Sequence, residues 1–289
     1  MDRSGYPVTP RSRSFRRLAG PASPGAALGV VREFRWLLRR ADPAGTWSFR
    51  HLAERGNPAV GIWFRTTAGV HAELDGILRT RAGHHGLRVS GDEPVPVSWP
   101  GIRGAALAEQ VGTASSDFAL ALAGRTGRGT GDEQLPLALL LLGRLLDLVD
   151  PLSRPDFLFL CWRHGITGLS PRGRVELAAR TDARAEASMR TAAALHLGPA
   201  AGPWEHYAGV LRHTAVDRRP ADNAPANYLL FQHSWLTHNR IGVPPPVTAG
   251  AARVLRSAIL AAPEPVVACG TDPKVPAMAG KANEDIGTA

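Results

Sequence analysis

The sequence predicts an α+β fold, with a small antiparallel sheet in the N-terminal third packed with a mostly helical remainder. Two observations carry this reading. Between residues 42 and 99 short alternating apolar segments are separated by turn signals, and from about residue 101 long helical periodicities follow one another. Strands in one run and helices in another favour helices gathered on one side of a sheet over an alternating βαβ layout. With 289 residues and 44% hydrophobic content the chain can bury a substantial core. We expect one domain over residues 23–262, preceded by a flexible N-terminus, 1–22, and followed by a disordered tail, 263–289.

Residues 1–22 are Arg-rich and broken by Pro7, Pro10 and Pro21, which argues against order. Ser23-Pro24 reads as a helix N-cap with proline at the first helical position, and Val30, Val31, Phe34, Leu37 and Leu38 continue at helical spacing, so a helix is expected over 24–40. After the turn Asp42-Pro43-Ala44-Gly45, strands are expected at Trp47–Leu52 and Val60–Thr66, joined as a hairpin through Glu54–Pro58. A helix, Val70–Arg81, and further strand within 87–99 complete the mixed region. Seven helices are then expected: Ala105–Ala123, Leu135–Val149, Pro155–Gly165, Pro171–Ala194, Trp204–Thr214, Tyr228–Asn239 and Ala251–Ala261. Ser170-Pro171 repeats the N-cap device.

The formal charge is +9, and all but Lys274 and Lys281 of the 34 basic residues are arginine. Such a surface suits nucleic acid, an anionic membrane or an acidic peptide. No zinc finger, RNA-recognition motif or helix-turn-helix supports the first. The longest apolar stretch, Leu135–Leu146, falls short of the roughly 20 residues a membrane span needs. A secretion signal is missing from Met1–Arg17, so the cytoplasm is the expected location. Cys161 and Cys269 stand far apart and read as reduced thiols.

Metal binding by His84-His85 or by His233 with His238 is disfavoured, because no Cys or carboxylate stands nearby and the i, i+5 spacing splits the second pair across helix faces. Gly124–Gly131 looks like a phosphate loop but lacks its Gly-Lys-Ser/Thr ending. Ser115-Ser116-Asp117 lies mid-helix, where hydroxyls usually bond the backbone. Polar and aromatic residues concentrate at Trp204–Tyr207 and at Tyr228–Arg240. In the second segment Tyr228, Phe231, Trp235 and His238 share one helix face while His233 stands apart. Two histidines, an asparagine and an arginine in so short a buried-looking stretch need partners, and the segment reads equally as a site or as satisfied core.

Leu230–Val243, ending Thr237-His238-Asn239-Arg240-Ile241-Gly242-Val243, resembles the His-rich helix closing in Asn-Arg-Leu/Ile-Gly that ends the C-terminal domain of lantibiotic dehydratases. The resemblance extends to Trp47-Ser48-Phe49-Arg50 leading to Gly61-Ile62-Trp63-Phe64-Arg65, and to the helices around Leu169-Ser170-Pro171, over about residues 30–260. The family includes glutamate-eliminating domains and stand-alone thiopeptide pyridine synthases. Eliminating members carry a pattern like His-Leu-Arg-Leu-Arg-Phe, and the corresponding stretch here is Ala59-Val60-Gly61-Ile62-Trp63-Phe64, without either arginine. A leaving glutamyl carboxylate would lose its bidentate grip, so the resemblance points to a pyridine synthase.

That resemblance implies a formal [4+2] aza-cycloaddition of two dehydroalanines in a thiazole-containing, dehydrated precursor peptide, with loss of water and of the leader peptide. It implies no cofactor, no metal, no nucleic acid and no membrane. A split glutamate-eliminating component and a basic nucleic-acid-binding protein are the alternatives. Proximity and proton transfer are what such an enzyme supplies. The candidates for proton handling are Tyr207, His233 and His238, with Ser188 behind them, a histidine near its ordinary pKa serving as shuttle. Arg50 and Arg65, on the expected hairpin, are the candidates for holding an acidic leader.

Overall fold

Nine residues inside the expected flexible opening, Arg11–Ala19, form a strand, β1, at the centre of the sheet. The computed structural model describes residues 11–20, 24–52, 59–91, 101–123, 131–214 and 226–261. The physical reason for the difference lies in distant carboxylates. Arg11 donates twice to Asp42 at 3.0 Å, Arg13 is paired with Glu109, and Arg16 with Asp75. Three of the strand's four arginines are therefore matched to carboxylates, while Leu18 and Phe15 are buried on opposite faces. Asp42 also accepts from Thr66, and these bonds, Arg11's first, hold its carboxyl below the usual range.

β1 pairs antiparallel with β3, Ala59–Thr67, along its whole length, and β3 pairs with β2, Thr46–Leu52, as a hairpin. β4, Arg88–Ser90, closes the order β2-β3-β1-β4. The strand expected over 87–99 is thus three residues long where it is described, and residues 92–100 lie outside the described residues. So do Ser23, the turn Glu54–Pro58, most of Gly124–Gly131, Cys269 and the tail beyond 262.

Two helices cover one face of this sheet. α1, Pro24–Ala41, brings Val30, Phe34 and Leu38, and α2, Ala68–His84, brings Leu74 and Leu78 against Leu18, Val60, Ile62 and Phe64. The Phe34 and Phe64 rings meet edge to face at 5.1 Å. Strict alternation along β3 sends Gly61, Trp63 and Arg65 to the other face, where Phe15 packs on Trp63 at 4.8 Å.

The helical remainder comprises α3, Gly101–Leu122; α4, Leu135–Leu146; α5, Arg154–Gly165; α6, Pro171–Ala194; α7, Ala201–Arg212; α8, Ala226–Arg240; and α9, Pro245–Ala261. Ser170 caps α6 as expected, its hydroxyl accepting from the Gly173 N–H at 3.1 Å. α9 starts six residues before its expected Ala251, because prolines in a first turn give up only N–H groups that have no helical partner. Phe118 of α3 stacks with Tyr207 and meets Trp204 edge-on, locking α3 to α7. Among the described residues no helix is long and apolar enough to cross a membrane.

Candidate active site

A strand at the end of a sheet exposes backbone groups that must find partners. β2 satisfies them with side chains of α3 and α8. Thr113 Oγ1 accepts the Trp47 N–H at 3.0 Å and donates to the Trp47 carbonyl at 2.9 Å, and Ser116 Oγ accepts the Phe49 N–H. Asn239 accepts the His51 N–H at 2.9 Å and donates to its carbonyl at 3.0 Å, while Arg240 Nε donates to the Phe49 carbonyl at 2.8 Å. The Asn-Arg pair that ends α8 is therefore a clamp on the sheet edge.

From Arg240 a hydrogen-bonded chain runs into the core. Its Nη1 donates to Ser115 Oγ at 2.9 Å, Ser115 Oγ lies 2.8 Å from Thr237 Oγ1, and Thr237 Oγ1 lies 2.9 Å from the Tyr207 hydroxyl and 2.7 Å from the His233 carbonyl. Every one of these side chains is buried, Arg240 at 4% exposure and Tyr207 at 0%. Burial sets their protonation. Desolvation pushes the Tyr207 hydroxyl up to about 12 and pulls Arg240 down to about 10, the latter helped by the nearby Arg50 cation. At neutral pH Tyr207 keeps its proton and Arg240 its charge.

His233 is pulled down to about 3, first by desolvation and then by Arg240. Burial thus moves His233 away from the ordinary pKa expected of a shuttle, and it stays neutral across the physiological range. His238 is shifted the same way by burial and bonds the Ser234 carbonyl through Nδ1 at 2.8 Å.

Of the sequence candidates, Tyr207 bonds Thr237 through its side chain and His233 only through its backbone carbonyl, while the Tyr207 hydroxyl and the His233 imidazole both feel the Arg240 charge. Ser188 does not join them, being buried on α6, which packs on α4 and α9. Ser115 and the segment holding Arg240 were weighed from the sequence without becoming named candidates, and Thr237 was not singled out. Their signal was the run of polar side chains in apolar helices, Thr113-Ala114-Ser115-Ser116 in α3 and Thr237 to Arg240 in α8. Ser116 bonds the Gly112 carbonyl, and Asp117 pairs with Arg35 and Arg39, so both have structural roles.

Arg50 and Arg65 share the sheet face opposite α1 and α2, in register with Gly61 and Thr46, and Arg13 and Arg17 of β1 join them there. The Arg50 guanidinium lies over the Trp63 ring at 4.4 Å, and Arg65 pairs with Glu109 at 3.5 Å. A Cβ at Gly61 would come within 2.6 Å of the Trp63 ring and 2.9 Å of Phe15. Cys161 is buried, and burial pushes its thiol up to about 12, so it is unreactive. Among the described residues no group of three or more His, Cys, Asp or Glu could hold a metal.

No protein-family model and no curated protein matches this chain. Among solved structures, the crystal structure of TsrL is similar, with TM-score 0.58 and 15% identity over 86% of this chain and 95% of that one. The pyridine synthase TbtD from thiomuracin biosynthesis is similar with TM-score 0.57 and 13% identity, over 86% of this chain and 97% of that one. The chain has a fold like that of the thiopeptide pyridine synthases.

Proposed function

We propose that this chain is a pyridine synthase of thiopeptide biosynthesis, joining two dehydroalanines of a thiazole-containing precursor peptide by a formal [4+2] aza-cycloaddition. The observation that carries the reading is the fold shared with TbtD over nearly the whole of both chains. The alternative within the same family, glutamate elimination, finds less support. At the two positions where eliminating domains carry arginines, this chain has Gly61 and Trp63, and the indole ring occupies the space a side chain at 61 would need.

In the reaction a proton leaves one amide nitrogen and a proton reaches its oxygen, giving a 2-azadiene. Two C–C bonds then form to the second alkene. Loss of water and of the leader as its amide makes the ring aromatic, with no change in overall oxidation level. Tyr207, a hydroxyl that keeps its proton, and His233, a neutral imidazole, are the proposed proton-handling pair. His238 and Ser188, the other sequence candidates, support the helices around them. The precursor's acidic leader is proposed to bind the arginine face, through Arg50 above all, since Arg65 already has Glu109.

The test is mass spectrometry of purified protein incubated with a synthetic thiazole peptide that bears two dehydroalanines and a leader. Loss of water with release of a leader amide is the expected outcome. An unchanged substrate, together with glutamate loss from a glutamylated peptide, would overturn the reading.

A further inference from the structure

We propose that Arg240, beyond clamping the sheet edge, binds the substrate amide oxygen that becomes negative as the amide passes to its iminol form. This rests on the cycloaddition reading above. Trp47, Phe49 and His51 of β2 need outward partners, and neutral side chains serve most of them: Thr113, Ser116 and Asn239. Only the Phe49 carbonyl is served by a cation. A neutral donor would do that task without the desolvation cost of burying a guanidinium.

Buried arginines normally find a carboxylate, yet among the described residues Arg240 has none. Its bonds go to a backbone carbonyl and to the Ser115 hydroxyl, through Nε and Nη1. That leaves Nη2 without a hydrogen-bond partner among the described residues. The Nη2 edge lies beside Gly112 of α3. A Cβ at Gly112 would be 3.8 Å from Nη2, an ordinary contact, and 3.3 Å from Ser48 Cβ, a tight one. Ser48 and Arg50 sit on the same sheet face, and the Arg50 charge reaches Arg240.

The site is thus a cation fixed at two of its nitrogens, with donors presented by the third, in a desolvated setting. Such a group is matched to an oxygen that gains charge during reaction rather than to a neutral ground-state carbonyl. Arg240 remains protonated throughout; the amide N–H proton goes to a base and the oxygen receives its proton from an acid, so the step balances without change at the guanidinium. The chain through Ser115, Thr237 and Tyr207 makes Arg240 a fixed rather than a mobile donor.

The experiment compares wild type, Arg240→Lys and Asn239→Ala, all at a temperature where thermal melts show each folded. The substrate is the thiazole peptide with two dehydroalanines, and an analogue with alanine at the diene position reports binding alone. Asn239→Ala weakens the same edge without touching the guanidinium, so its melt drops while its kcat stays within a few-fold of wild type. Arg240→Lys is expected to lose kcat on the order of 10²–10³-fold with KM and analogue binding nearly unchanged. Should Arg240→Lys not fold, Ser115→Ala, which frees Nη1, takes its place with a loss of about 10-fold in kcat. Near-wild-type kcat in the variant used, or losses in both arms that simply follow stability, would sink the assignment. Wild type that binds the analogue but converts no substrate removes the reaction itself, and this inference with it.

Discussion

Burial keeps the His233 imidazole neutral over the physiological range. Its pKa falls from the ordinary 6.5 to about 3, so below pH 6.5 the unfolded chain takes up a proton that the folded protein refuses. The contribution is fully present above pH 6.5 and is lost as pH falls towards 3. One such proton steepens the loss by about 1.4 kcal/mol per pH unit, and His51 and His238, shifted the same way by burial, add to it. His233→Asn is expected to flatten the pH dependence of urea unfolding between about pH 6 and pH 4 by one proton's worth. An unaltered slope would mean that His233 is protonated in the folded state. The sequence showed Tyr207 as a polar group in an apolar setting, but not that it would end a chain of hydroxyls leading from Arg240. That chain draws Ser115 from one helix and Thr237 and Arg240 from another, more than a hundred residues away, and spacing along either helix says nothing about the other.

At the scale of elements, α5 and α9 show how close helices come when one contributes glycine. A Cβ at Gly165 would lie 2.4 Å from the Pro245 carbonyl oxygen and 2.8 Å from Ala249 Cβ. Gly165→Ala is expected to destabilise by about 1–3 kcal/mol in chemical denaturation, because backbone rather than a flexible side chain must yield. A gain in stability, the sign helix propensity alone would give, would show slack between the two helices. The helices themselves were legible because periodicity and caps are local; α6 spans Pro171–Ala194 as its N-cap and spacing predict. β1 was not, since Arg11–Ala19 has only Phe15, Leu18 and Ala19 as apolar residues and is ordered by Asp42, Asp75 and Glu109. The start of α9 lay outside the expected Ala251–Ala261, since the helix begins within Pro244-Pro245-Pro246, where proline fits a first turn.

For the whole molecule, the excess of arginine was evident from composition, but its placement on one sheet face required the register. Arg13, Arg17, Arg50 and Arg65 line that face, tempered by Glu109. Anisotropy with a labelled acidic leader peptide is expected to show binding weakened at least about tenfold between about 0.05 and 0.5 M salt. Arg50→Glu should lower affinity at low salt and reduce that salt dependence. Salt-independent binding, or a variant that binds as tightly as wild type, would place the leader elsewhere. The tied-down edge of β2 has a last consequence for how any peptide is held. Its outward amides and carbonyls at Trp47, Phe49 and His51 are already taken by Thr113, Ser116, Asn239 and Arg240. An extended chain arriving there cannot add itself as a fifth strand. Recognition along that border must pass through side chains, which read sequence and charge, rather than through the backbone ladder, which accepts nearly any polypeptide.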